Sequence, residues 1–370
     1  MHKRITVHVG LDVHKDSIEI ALADGTQEGE VRHYGRIGGD LASLDRAVRQ
    51  LGGAQRSLVF SYEAGPCGYA IYRHLTAQGH VCHVVAPSMT PRRPGERIKT
   101  DRRDCIKLAR LARAGELTIV RVPDAQDEAI RDLVRARSDA VRNQRDARHR
   151  LKALLLRHEI RYAGKTAWTP AHERWLATVK LAHAAQQIVF QEYVDGVRES
   201  TQRIARLTQS LHDAVADWRW QGVVQALQSL RGIQLVNAAT LVAEIGDIER
   251  FAHPRQLMAY LGLVPGEHSS GSHRRQGSIT KTGNAHARCA LIEAAWQYRL
   301  PARITPIIAK RQEHVSEPIR ALAWKAQQRL CHRYRRLAAR QLHKNKIVTA
   351  LARELSGFVW AIVREARAVR

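Results

Sequence analysis

Apolar and polar positions alternate along the start of the chain. Ile5, Val7, Val9 and Leu11 are separated by Thr6, His8 and Gly10, the two-residue period of a half-buried strand. Ile18, Ile20 and Leu22 repeat the period after the polar stretch from Asp12 to Asp16, so the pair reads as a hairpin. Asp24-Gly25 is a second turn signal and leads to a third strand near 30–37. Leu41, Leu44, Ala47 and Leu51 then share one face of a helix. A compact strand is predicted over 57–62, a helix over 68–78 and a strand over 80–86. The order βββαβαβ predicts an α/β layer fold.

From about 103 the period becomes helical. Segments 125–160 and 183–216 space their apolar residues three and four apart among many charges. Together they resemble an antiparallel coiled-coil hairpin, broken near Ala163-Gly164 and Pro170, and a plain helical bundle fits the pattern equally well. Short helices follow over 224–230, 238–245 and 254–261, punctuated by Gly232, Gly246 and Gly262. A Gly- and Ser-rich loop spans 265–284, a helix runs from 285 to 299, and helix resumes from 317. The expected domains are 1–122, 123–218, 219–300 and a basic helical tail, 301–370.

Composition narrows the classes. The 370 residues are 44% apolar, enough for two or three domains with real cores and too many for a disordered chain. No window offers about 18 consecutive apolar residues, so no membrane-spanning helix is expected. The N-terminus runs directly into a strand pattern and shows no signal-peptide stretch. Five scattered cysteines without a CxxC pair argue against a zinc site or a disulfide framework and for a reduced, cytoplasmic setting.

Charge changes the picture most. Sixty Lys and Arg face 35 Asp and Glu, a net of +25. Residues 1–65 carry 8 basic and 9 acidic side chains, so the whole excess lies beyond them, and 301–346 is densest with 12 basic and 2 acidic residues. A field this asymmetric selects a polyanion, with nucleic acid as the default partner and an anionic membrane surface as the competitor.

Four acids stand out in the neutral region and just after it. Asp12 ends the first strand and Glu63 a later one, while Asp101 and Asp104 open a helix at i,i+3 spacing, on one face. Converging, they would form a two-metal site for Mg²⁺, or Mn²⁺, with ions about 3.5–4 Å apart that stabilise attacking and leaving oxygens of a phosphodiester. The alternatives are a turn role for Asp12 and an N-cap role for Asp101. Arg102 and Arg103 could meet phosphates or pair with the acids. A second region runs from Gly262 to Arg288 and includes Ser269, Ser270, Arg274, Arg275, Lys281 and Arg288; 271–288 holds four Lys or Arg and no acid. Small residues let a backbone approach phosphate and Arg adds bidentate contacts. Anion binding alone would explain the composition. A GxSxG hydrolase elbow does not fit, because Glu267 and His268 occupy the positions where glycine would be needed.

The two regions together resemble transposases of the IS110 family, with loop wording close to its IS1111-like branch. Gly10-Leu11-Asp12-Val13-His14-Lys15, Glu63-Ala64-Gly65 and Lys99-Thr100-Asp101-Arg102-Arg103-Asp104 are similar to the family's RuvC-like DEDD domain. Leu230-Arg231-Gly232-Ile233, Gly262-Leu263-Val264-Pro265, Ser269-Ser270-Gly271 and Gly277-Ser278-Ile279-Thr280-Lys281 are similar to its C-terminal transposase domain. Gln234 departs from a glycine common in the family. The resemblance implies an RNase H-like (RuvC-like) domain followed by mostly helical regions. It implies a mobile-element recombinase, nucleoid-associated in a bacterium. Asp12, Glu63, Asp101 and Asp104 would hold Mg²⁺, and Ser270, with Ser269 as runner-up, would form a covalent phosphoserine link to DNA. It also implies an element-encoded structured guide RNA, donor and target DNA, and assembly as a homodimer or homotetramer. A metal-dependent junction nuclease using water, or a non-catalytic nucleic-acid binder, are the other functions the residues allow.

Overall fold

The computed structural model describes residues 5–26, 29–52, 56–91, 100–267, 269–270, 273 and 275–368. The chain divides into two units, Met1–Val122 and Pro123–Arg370.

In the first unit the alternating segments become β1 (Ile5–Val13), β2 (Ser17–Asp24) and β3 (Val31–Gly38). They are followed by α1 (Leu41–Leu51), β4 (Arg56–Glu63), α2 (Ala70–Ala77), β5 (Val81–Val85), α3 (Asp101–Ala114) and the short β6 (Ile119–Val120). The sheet order is β3-β2-β1-β4-β5-β6. β1, β2 and β3 pair antiparallel, whereas β4 and β5 continue parallel to β1. This is the α/β layer arrangement expected from the residue pattern, and it is consistent with the RNase H-like fold that the resemblance implies. The sequence gives no warning of β6, whose two residues are too few to show a period.

The period of two gives the sheet two unlike faces. Val7, Val9, Leu11, Ile18, Ile20, Leu58, Phe60 and Tyr62 pack on Leu44, Val48 and Leu51 of α1 and Ile71 and Leu75 of α2. Where α3 packs on it, the opposite face is made of small residues. Gly10 lies between Ala21 of β2 and Ser61 of β4, and Ala21 and Ala23 cluster with Cys105 and Ala109 of α3. A Cβ at Gly10 would stand 2.3 Å from the Cys105 carbonyl oxygen and 2.5 Å from the Ala109 nitrogen. Helix α3 therefore rests backbone-on-backbone against β1. That contact sets the first turn of α3 beside the carboxyl end of β1.

The second unit opens with α4 (Ala125–Arg157), α5 (Pro170–Leu176) and α6 (Ala184–Ala216). Helices α4 and α6 run antiparallel: Arg137 Nε donates to Thr208 Oγ1 at 2.8 Å and Gln144 Nε2 to Thr201 Oγ1 at 2.7 Å. At the base of this hairpin the buried Asp127 accepts the indole N–H groups of Trp218 and Trp220 at 2.9 and 3.1 Å. The far end has its own core, in which Leu151, Leu154 and Leu155 of α4 meet Leu176 of α5 and Phe190, Val194 and Val197 of α6.

The rest comprises α7 (Gln221–Leu227), α8 (Leu235–Ile245), α9 (Pro254–Tyr260), a hairpin of β7 (Pro265–Glu267) and β8 (Gln276–Ile279), and α10 (Ala285–Ala295). Then come α11 (Pro306–Gln312), α12 (Glu317–Ala339) and α13 (Lys344–Ala368). The stretch expected as a separate tail is no tail. Ile347, Val348, Leu351, Leu355, Val359, Ile362 and Val363 of α13 lie in one core with residues of α7, α8 and α10. Basic composition hid this, because the charges occupy only the outer faces.

One buried acid ties this core to the Ser-rich segment. The Glu244 side chain is fully buried, and its carboxylate accepts Arg135 Nε at 2.7 Å, Arg135 Nη2 at 2.9 Å and Asn284 Nδ2 at 2.6 Å. Asn284 in turn caps α10, its Oδ1 accepting the Ala287 N–H at 2.9 Å. Gly283 has a φ of +66° and sits so close that a Cβ would be 1.8 Å from the Tyr260 carbonyl oxygen.

Two outcomes follow from these contacts. Gly10→Ala must push α3 off the sheet, with a loss of about 1–3 kcal/mol of local stability; hydrogen exchange in α3 peptides should rise, and unchanged protection would refute the close approach. For Glu244, burial alone would raise the carboxyl, but Arg135 and Asn284 outweigh it and hold it below the ordinary range. Its contribution is present above the unfolded value of about 4.3 and is lost as pH falls through the lower folded value. Glu244→Gln should cost about 1–3 kcal/mol at neutral pH, and the gap from the parent should close on acidification below about pH 4. Thermal unfolding followed by Trp fluorescence reads this, and a gap independent of pH would contradict it.

Candidate active site

Leu11 and Tyr62 stand opposite each other in the parallel β1–β4 ladder. The next residues, Asp12 and Glu63, leave neighbouring strands at the same end, and alternation turns both toward the α3 side. Asp101 and Asp104 occupy the first turn of α3. Thr100, not Asp101, is the N-cap, its side chain accepting the Arg103 N–H at 3.3 Å. The Asp101 carboxylate is thus released from capping.

His14 joins the acids. Its Nε2 lies 3.2 Å from Asp12 Oδ2 and 3.6 Å from Asp101 Oδ1. Donor atoms of Asp12, His14 and Asp101 all fall within 4.8 Å of one another. Burial pushes the Asp12 carboxyl above the ordinary carboxylate range; His14 opposes this, and the charges of Asp101 and Asp104 add to it. Glu63 is exposed and accepts Thr90 Oγ1 at 3.1 Å. It shares with Asp12, His14, Lys15 and Asp40 an open cleft of about 790 Å³. Asp12 and Asp101 are therefore in contact through His14, Asp104 is within electrostatic reach, and Glu63 lines the same cleft as Asp12.

Sequence reasoning missed three side chains. His14 stood two residues past Asp12 and could have been included on spacing alone. Glu19 faces Asp12 across the β1–β2 ladder, but its carboxylate is taken by His33 Nε2 at 2.6 Å. Thr90 carries no sequence signal, since only the fold brings it to Glu63.

A carboxylate whose proton affinity is raised by burial, with the charges of neighbouring carboxylates adding to it, is what a divalent cation relieves. The oxygens of Asp12, Glu63, Asp101 and Asp104 suit Mg²⁺, and His14 supplies a softer nitrogen donor beside them. Arg102 and Arg103 are exposed at the start of the same helix.

The Ser-rich segment, expected as a loop, is partly a β-hairpin. Ser270 sits at its tip, bridged through backbone to His273: Ser270 N donates to His273 O at 3.2 Å and His273 N to Ser270 O at 3.1 Å. Ser269 Oγ donates to Glu267 Oε1 at 2.9 Å and accepts the Arg275 backbone N–H at 3.3 Å. Both serines are exposed, as are Arg275 and Lys281. Arg288, expected at nucleic acid, instead gives its Nη1 to the carbonyls of Leu261 and Thr282, each at 2.9 Å, and so clamps the base of the hairpin. Arg274 lies outside the described residues. Among the described residues no helix is long and apolar enough to cross a membrane.

Comparison with known proteins agrees with both regions. Residues 9–159 match the DEDD transposase model of the IS110 group, and residues 224–309 match the Transposase IS116/IS110/IS902 family. A Sinorhizobium fredii protein named "Putative transposase y4qE" is 48% identical over 359 residues, covering 97% of this chain and 89% of that one. The transposase for insertion sequence element IS1533 of Leptospira borgpetersenii is 30% identical over 334 residues, covering 90% and 96%. The transposase for IS1111A of Coxiella burnetii is 42% identical over 71 residues, 19% of this chain and 20% of its own. The chain belongs to the IS110 family of insertion-element transposases.

Proposed function

We propose that this transposase cuts and rejoins DNA through a serine, with acids of the first unit holding divalent cations at the reacting phosphate. The observation that carries the reading is the convergence of Asp12, His14 and Asp101 within 4.8 Å at one end of an RNase H-like sheet. Asp12, Glu63, Asp101 and Asp104 would hold two Mg²⁺ ions, or Mn²⁺. Such ions would supply neutralisation of charge on the phosphate oxygens.

Ser270 is the proposed nucleophile. Its hydroxyl loses a proton as Oγ bonds to phosphorus, the bond from phosphorus to one deoxyribose oxygen breaks, and that oxygen takes up a proton. The product is a phosphoserine ester. A free deoxyribose hydroxyl of the exchanging strand then attacks the same phosphorus, releases Ser270 Oγ and restores the phosphodiester. Lys281 and Arg275, cationic and exposed on the same segment, would hold phosphate beside the serine. Arg102 and Arg103 would do so at the acids. Ser269 is the second reading, favoured by its hydrogen bond to Glu267, a carboxylate placed to accept its proton.

Sequence selection would come from an element-encoded RNA pairing with donor and target DNA, with the protein gripping backbone. The charge supports this: +25 overall, with all of the excess beyond residue 65, is suited to several nucleic-acid strands. A homodimer or homotetramer would bring enough acids and serines to two duplexes.

Ser270→Ala should abolish the covalent protein–DNA adduct on denaturing gels while binding of nucleic acid persists. An undiminished adduct that Ser269→Ala removes would transfer the role to Ser269. Adduct formation unaffected by both would overturn the serine chemistry. Asp12→Asn should reduce strand cleavage by at least about 10²-fold, the scale expected when stabilisation of transition-state charge is removed, and cleavage at the parental rate would exclude the acid site.

A further inference from the structure

Helix α12 was dense in arginine without any assigned role, and its packing sorts those arginines. Its apolar side, with Ile319, Ala323, Ala326, Leu330, Cys331 and Leu337, is buried in the main core of the second unit. From residue 325 to 340 every exposed side chain is basic, Gln or Ala, and none is acidic. Lys325, Arg329, His332, Arg336 and Arg340 recur at three- and four-residue steps, with Arg335 beside them. That spacing lays them along one solvent-facing stripe about 22 Å long at 1.5 Å per residue.

Solvated charge is the ordinary explanation for such a surface, and the same chain shows what that looks like. On the α4–α6 hairpin three exposed arginines each have an acid beside them: Arg142 pairs with Asp139 at 3.1 Å, Arg145 with Asp146 at 3.4 Å and Arg198 with Asp195 at 3.1 Å. Among the described residues the one acid paired along the α12 stripe is Glu354 of α13. It is largely buried and takes Arg329 at 3.2 Å, together with Arg333 at 2.6 Å. Among the described residues no carboxylate pairs with Lys325, Arg335, Arg336 or Arg340. Like charges concentrated on one face repel, and a polyanion bound there relieves the repulsion.

We propose that the outer face of α12 is a docking surface for the phosphate backbone of duplex DNA, gripping without regard to sequence. Charge and shape exclude two other occupants, a second copy and a membrane surface. A second copy laid face to face by two-fold symmetry would set arginine against arginine. A membrane-surface helix would need a free apolar side, and that of α12 is already spent in the core. A straight stripe of cations at about 6 Å intervals suits consecutive phosphates of one strand. The inference rests on the DNA substrate of the family and not on the serine chemistry, so either can fail alone.

The test is the salt dependence of binding of the full-length protein to a labelled random-sequence DNA duplex, measured by fluorescence anisotropy. Arg335→Gln/Arg336→Gln/Arg340→Gln should weaken binding about tenfold or more near physiological salt and lower the log–log salt slope by about 2–3, since each lost phosphate contact removes about 0.9. The control Arg142→Gln/Arg145→Gln/Arg198→Gln removes the same formal charge from acid-paired sites and should change the slope by less than about one. The thermal midpoint should not move, because all three α12 side chains are exposed. If the triple variant unfolds, Lys325→Gln/Arg336→Gln asks the same question, with an expected fall in slope of about 2. Equal losses in the α12 and control variants would show that net charge alone sets affinity and overturn the proposal. So would a loss confined to an RNA duplex of matching sequence.

Discussion

The contact of α3 with β1 at Gly10 is the constraint on which the first unit depends. Strand β1 supplies Asp12, and α3 supplies Asp101 and Asp104. Neither element holds the other's acids unless their backbones come closer than side chains permit. With the Cys105 carbonyl 2.3 Å from where a Cβ would stand, only glycine serves at that position. The neighbours are graded to match: Ala21 and Ser61 flank Gly10 on the adjoining strands. A small-residue face in a sheet would otherwise be a weak core, and here it is the means by which three elements present acids at one edge.

The second unit solves a different problem. A β-hairpin of exposed polar residues has little core of its own, so its geometry must be imposed from below. Arg288 clamps the hairpin base through two carbonyls, and Asn284 links the helix after it to buried Glu244 and thence to Arg135 of α4. A buried carboxylate is costly unless it is fully hydrogen-bonded; three donors on Glu244 meet that condition. These contacts fix the base of the hairpin that carries the exposed Ser269 and Ser270.

Much of this was legible in the chain. The βββαβαβ order, the faces of the strands and the long α4–α6 pair follow from periodicity, which acts locally and survives without tertiary knowledge. The placement of Asp12 and Glu63 at strand ends and of Asp101 and Asp104 in the first turn of a helix was legible because such boundaries mark themselves. The rest depends on long-range pairing. Arg288 is indistinguishable from Arg275 by composition, yet one clamps backbone and the other is exposed. Residues beyond 301 read as a basic tail because arginine dominates the count, whereas burial of Ile347, Leu351, Leu355 and Val359 decides where α13 lies. Partnering of charge, as for the bare stripe of α12 against the paired arginines of α4, is a property of three-dimensional neighbours alone.

The proposed chemistry requires that β1 and α3 together build a divalent-cation site. Titration of the protein with Mn²⁺, followed by electron paramagnetic resonance, tests it most directly and needs no nucleic acid. The expected result is two ions bound close enough to couple magnetically, with binding lost in Asp12→Asn and weakened in Gly10→Ala, which leaves every acid in the chain but moves the helix that carries two of them. Mn²⁺ binding undisturbed by both substitutions would contradict the account.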